Sequence, residues 1–148
     1  MKGMSRGVLV ALCAAVTMAG CSWWQSKEAK SWPLSSDNLP AASGKVVTEK
    51  WDGRTRNVEV EVSHLAPADR VASGANTYVV WFKPAQQDAP AQNMGTIRPD
   101  QNLSGKLKTT TSFVDFDVFV TPESAANVTS PSQKEVLSAQ VRGPAPTY

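Results

Sequence analysis

Between Asn57 and Ser63 the sequence reads NVEVEVS, with Val58, Val60 and Val62 set against Glu59, Glu61 and Ser63. Strict alternation does not fit a helix, whose faces repeat every 3.6 residues, and it makes a half-buried strand. The run VDFDVFV repeats the device, so Val114, Phe116, Val118 and Val120 are expected inward and Asp115 and Asp117 outward. TYVVWFK, around Tyr78 to Phe82, is apolar on both phases. That pattern belongs to a central strand covered on both faces.

Weaker strand signals lie at Lys45 to Trp51, Gly95 to Arg98, Leu103 to Thr110 and Glu135 to Val141. Turn chemistry separates the runs: Asp52-Gly53, Ser73-Gly74, Pro84 to Pro90, Pro99-Asp100, Thr121 to Ser132 and Gly143-Pro144. About seven short strands at regular spacing, without a convincing helical run, predict an all-β antiparallel sandwich or small barrel over residues 44–143. Residues 144–148 read as a loose tail.

The first twenty residues have another character. Lys2 and Arg6 give a positive start, Val8 to Met18 is apolar, and Ala19-Gly20 supplies small residues for cleavage, the plan of a secretory signal over residues 1–20. A membrane-spanning helix needs about 20 predominantly apolar residues, more than this run offers. Met18-Ala19-Gly20-Cys21 resembles the lipobox of bacterial lipoproteins. The resemblance implies that Cys21 takes a diacylglyceryl group through its sulfur and becomes the first mature residue. The alternative is an ordinary cleavable signal with an incidental cysteine beside it. Acyl chains contribute about 0.8 kcal/mol per buried methylene, so two or three would hold the chain at a membrane durably.

Cysteine usage follows from that reading. Cys13 leaves with the signal and Cys21 is consumed by lipid, so the exported part carries no thiol, disulfide or cysteine-ligated metal. Of the 15 basic residues Lys2 and Arg6 also leave, and the remaining 13 balance the 13 acidic ones. A neutral domain gives no electrostatic reason to expect nucleic acid as a partner. Ser22, after the lipidated cysteine, lacks the aspartate associated in some bacteria with inner-membrane retention. The expected location is therefore the cell envelope, outer membrane facing the periplasm.

Residues 21–43 are rich in Ser, Ala, Pro and Lys and read as a lipid-anchored flexible linker. Trp23, Trp24 and Trp32 stand in it. An indole suits the headgroup layer of a bilayer, and it equally suits packing back onto the domain; both placements are open from sequence.

The order YVVWFKP, MGTIRPDQNLSGKLKTTT and VDFDVFVTPESAANVTSPSQKEVLSAQV resembles the extracytoplasmic domain of anti-sigma-K-type factors. The matching positions are Tyr78 and Trp81; Gly95, Leu103 and Gly105; and Val120, Thr121, Glu123, Pro131, Val136, Leu137 and Val141. The resemblance implies an Ig-like sandwich in an extracytoplasmic setting, with Tyr78 and Trp81 as core and edge aromatics and a Pro-bearing loop before the last strand. The family's regulators reach a cytoplasmic sigma factor through a transmembrane helix and a helix bundle. This chain shows neither pattern, so sigma-factor sequestration is not expected of it.

Residues for chemistry are few. His64, the single histidine, falls by alternation on the core side of its strand or at its rim, and it is expected to be a packed or surface residue rather than a catalyst. A serine hydrolase would need it as base, and no Gly-x-Ser-x-Gly elbow accompanies it. Asp115/Asp117 and Glu59/Glu61 share strand faces as acid pairs, and Lys106/Lys108 form a basic one; all read as solvated surface. No catalytic, metal or cofactor site is expected, and the chain is not read as an enzyme. The expectation is an envelope lipoprotein that binds a protein partner or serves a structural role. The alternatives are a detached sensory domain of an anti-sigma-like system, or an enzyme or accessory module acting on envelope polymers.

Overall fold

The alternating runs become strands of two facing sheets. The structure, a computed structural model, describes residues 29–49, 53–86 and 88–143. In chain order it contains β1 (Lys30–Leu34), β2 (Ser43–Thr48), β3 (Arg56–Ser63), a single helical turn α1 (Ala68–Val71), β4 (Thr77–Pro84), β5 (Gln92–Ile97), β6 (Gly105–Thr111), β7 (Phe116–Glu123) and β8 (Leu137–Val141). One sheet has the order β1-β2-β3-β6 and the other β5-β4-β7-β8, with every pair antiparallel. The chain crosses between sheets after β3, β5 and β6. That Greek-key path makes an all-β, Ig-like sandwich of eight strands.

Alternation decides what lies between the sheets. Val58, Val60 and Val62 are buried against Tyr78, Val80, Phe82, Phe116, Val118 and Val120. Each such side chain contributes roughly 1.5–3 kcal/mol on burial. The rings of Phe82 and Phe116 stand 4.7 Å apart between the sheets, at the end of the layer where β7 begins. In β4 the residues from Thr77 to Phe82 are all buried, as a strand apolar on both phases requires.

Several expectations are corrected. Residues 30–43 are not linker: β1 pairs with β2, Trp32 packs on the core and Leu34 and Ala42 are buried within it. Only Trp32 and Leu34 carry the inward signal there, and Pro33 between them hides so short a strand. Val114 lies outside β7 and is 40% exposed. The Arg56 guanidinium donates to the Val114 carbonyl and fixes that corner before the strand begins. Leu103 precedes β6 and sits exposed in a turn with positive φ. His64 lies at the surface, one of the two placements expected for it, with its backbone left-handed at φ 56°; the chain leaves the strand there, and Leu65 takes the core position. The signal segment, Cys21, Trp23, Trp24 and the tail at 144–148 lie outside the described residues. Among those described, no helix is long and apolar enough to cross a membrane.

Candidate functional site

The two outer faces of the sandwich differ in chemistry. On the β1-β2-β3-β6 sheet, register brings Lys45 beside Glu61, Glu61 beside Lys106 and Glu59 beside Lys108. The result is a ladder of ion pairs, Lys45–Glu61 at 3.0 Å, Lys106–Glu59 at 2.9 Å, Lys106–Glu61 at 3.0 Å and Lys108–Glu59 at 3.3 Å. Hydrogen bonds from Lys45 first and then Lys106 pull the Glu61 carboxyl down to about 2. A shallow cleft of about 750 Å³ runs over this face between Val47, Asn57, Glu59 and Lys108. Its charges satisfy one another, which keeps the sheet solvated and leaves no unpaired charge in the ladder for a ligand.

The β5-β4-β7-β8 sheet is half covered. Thr77, Val79, Trp81 and Lys83 of β4 point outward beside Glu123, Thr121, Phe119 and Asp117 of β7. Residues 124–136 pass over the first part of this face, so Val79, Trp81, Thr121 and Glu123 are buried although they lie outside the sandwich core. A polar chain fastens the loop. The Trp81 indole N–H donates to Thr121 Oγ1 at 2.8 Å, and Thr121 Oγ1 donates to Glu123 Oε1 at 2.7 Å. The Ser132 N–H donates to Glu123 Oε1 at 2.9 Å, and the Ser132 hydroxyl donates to Oε2. Burial alone would push the Glu123 carboxyl up. Donors from Ser132, Thr121 and the Gln133 backbone outweigh it and hold the group below the usual carboxylate range. On the β5 side, Asn93 Nδ2 donates to the carbonyls of Ala126 and Val128 at 2.9 and 2.8 Å.

Asn93 also marks an irregular edge. The register of β5 against β4 slips between Val80 and Trp81, which leaves Met94 as an extra residue. Gly95 follows at φ 132°, with Asn93 Oδ1 accepting from its N–H at 3.0 Å. A bulge with a backbone reserved for glycine bends an edge strand away from flat pairing.

The other part of the face is open. Phe119 stacks on Trp81 with ring centroids 6.3 Å apart and borders a cleft of about 580 Å³ between β8 and β1. Lys83, Asp117, Ser138 and Gln140 line it from one sheet, Pro33 and Ser35 from the other. Arg142 holds Asp117 at 2.8 Å. This cleft is the candidate site, because two sheet edges converge on it and its floor mixes an aromatic ring with polar groups.

The sequence-predicted positions scatter around it. Asp117 reaches the cleft. Asp115 accepts from the Gly143 N–H at the strand corner and lines no part of it. His64 lines neither this cleft, nor the ion-pair face, nor a third hollow of about 370 Å³ at the ends of β3 and β6. Among the described residues no group of three His, Cys, Asp or Glu side chains is placed to hold a metal. Nothing in the sequence marks Glu123 and Ser132 as a latch or Pro33 as the wall of a cleft. The outward phase of Thr121 and Glu123 was available, while their partner across the loop was not. Comparison with protein-family models, curated proteins and solved structures finds no match for the chain.

Proposed function

We propose that the chain is an exported lipoprotein, anchored in a membrane of the cell envelope through Cys21, whose sandwich binds a protein partner. The observation that carries this reading is the position of Cys21, directly after Ala19-Gly20 at the end of an apolar segment with a basic start. The outer membrane, facing the periplasm, is the proposed location, on the strength of Ser22 after the cysteine. The start of β1 supports a role close to the anchor. Lys30 lies nine residues beyond Cys21. A chain of that length reaches at most about 30 Å when fully extended. The domain therefore works near the membrane surface, with its Lys30 end toward the anchor and the turns at 64–76, 98–104 and 124–136 away from it.

Mass spectrometry of the membrane-extracted protein tests the anchor: the expected species begins at Cys21 and carries a thioether-linked diacylglyceryl group. An unmodified mature terminus overturns it. Crosslinking in intact cells tests the partner, with Cys21→Ala as control. One recurrent envelope protein, captured only with the anchored form, is the expected result.

A further inference from the structure

Ala29, the first described residue, lies at the rim of the cleft of about 750 Å³ on the ion-pair face and lines no part of the one beside Phe119. Just past it β1 begins, at the edge of its sheet. Register places Ser31, Val47, Glu59 and Lys108 in one row across the four strands of this face. Glu59 and Lys108 pair with each other at 3.3 Å, so the row asks for no charged occupant. Val47 stands out in it. It is an aliphatic side chain on the solvent side of β2, half-buried, where the strand's other outward residues are Ser43 and Lys45. Lys108 reaches over the same row with 75% of its side chain exposed, which leaves its methylenes uncovered.

We propose that residues 22–28, which lie outside the described residues, fold back over this cleft and seat the Trp24 indole on Val47 and the Lys108 stem. Continuity chooses the occupant. The segment enters the sheet through Ala29, at the rim of the cleft, and closing so short a loop costs little because the entropy lost grows only with the logarithm of its length. Reach agrees. Trp24 stands five residues before Ala29, about 16 Å of extended chain, and the row from β1 to β6 spans three strand spacings, about 14 Å. An indole brings apolar area for Val47 and a π face for a lysine, a contact this sheet already makes where Lys30 stands 4.1 Å over the Trp32 ring. Adjacent residues of an extended chain face opposite sides, so Trp23 points away from the sheet when Trp24 points onto it. One consequence rests on the reading that Cys21 carries the anchor: three residues then separate the lipid from the docked ring, at most about 11 Å. The anchor is held at the Lys30 end of the ladder face, and the open face beside Phe119 looks the other way, toward a partner.

The test is NMR of the full chain, purified from cells in detergent micelles. A ring seated on Val47 shifts the Val47 methyl resonances upfield and gives nuclear Overhauser contacts from the Trp24 indole to those methyls and to the Lys108 methylenes. Trp24→Ala should return the Val47 methyls to ordinary positions, and Trp23→Ala should leave them shifted. Val47→Lys, which removes the apolar seat at a solvent-facing position, should abolish the contacts to Lys108. A doxyl-labelled detergent should broaden the Trp23 indole N–H signal and spare that of Trp24. Absence of contact from Trp24 to Val47 in the wild type, or Val47 methyls indifferent to Trp24→Ala, overturns the proposal. Broadening of both indoles with Val47 unshifted assigns the pair to the lipid surface and overturns it as well. The Cys21→Ala form is expected to keep the contacts, because the chain makes the seat and the lipid does not; their loss in that form overturns the docking. Contacts without lipid on Cys21 leave the docked segment standing while the anchor falls, and a lipidated Cys21 without contacts does the reverse, so the two readings fail separately.

Discussion

Ser132 reaches across the loop to Glu123 with two donors, its N–H at 2.9 Å from Oε1 and its hydroxyl on Oε2. Glu123 is fully buried, so these bonds, with those from Thr121 and Gln133, are what keep a charge tolerable outside the sandwich core. The latch is expected to be pH-dependent. The folded carboxyl titrates below its unfolded value, so its contribution is complete above the unfolded pKa of about 4.3 and is lost as pH falls through the lower folded value. Acid should free residues 124–136 and expose Trp81, read as a red shift of tryptophan emission below pH 4 that reverses on neutralisation. Glu123→Gln turns one acceptor into a donor facing Ser132. It should cost about 1–3 kcal/mol and flatten the acid transition.

Tyr78 joins the same end of the sandwich to the turn before α1, its hydroxyl donating to the Ala66 carbonyl at 2.6 Å. Burial, then the charge of Asp69, pushes the phenol up to about 12. Tyr78→Phe should lower stability by about 1 kcal/mol in urea unfolding, with the transition otherwise unchanged. Ultraviolet titration should find one tyrosine that ionises well above the ordinary range.

On the opposite face, Glu61 is shared between Lys45 and Lys106. Carboxyl NMR should find its midpoint near 2, and Lys45→Met should move it back toward ordinary values, since Lys45 is the first contributor. Salt should raise the midpoint too, because these pairs are open to solvent.

Arg56 caps the corner before β7. Its guanidinium donates to the Val114 carbonyl and lies 5.2 Å from the centre of the Phe116 ring, while Nε is buried without a partner. Burial lowers its pKa despite the charge of Asp115. Arg56→Ala should cost about 2–3 kcal/mol by leaving a void over Phe116. Arg56→Met, which keeps the stem and removes the unpaired Nε, should stay within about 1 kcal/mol of the wild type. Paired thermal unfolding curves decide it.

The parts of this fold that were legible in sequence are those where burial follows alternation alone. Val58, Val60 and Val62 gave a face, and TYVVWFK gave a strand covered twice. The cover over Trp81 was not legible, because it depends on Glu123 meeting Ser132 and on Asn93 meeting Ala126, pairs that nothing local announces. Alternation misled at Val114, where the strand has not begun, and it left His64 open between core and rim until a left-handed residue was seen to turn the chain out of the sheet there. The cleft between β1 and β8 lies beyond sequence reasoning altogether, since it needs Ser35 and Ser138 brought together from distant parts of the chain.

Trp32 separates a strand from a tether most directly. If residues 30–34 were linker, removing the ring would leave stability untouched. In the structure Trp32 pairs opposite Val46, packs on the core and carries Lys30 4.1 Å above its ring. Trp32→Ala should therefore destabilise the domain by about 2–3 kcal/mol, less than for a fully buried ring because part of it faces solvent. Its indole Nε1 is buried without a hydrogen-bond partner, so most of the ring's contribution is apolar contact. Trp32→Phe keeps much of that contact and removes the unsatisfied donor, and it should fall within about 1 kcal/mol of the wild type. Urea unfolding of the three proteins checks both numbers, and equal stability for all three would return β1 to the tether.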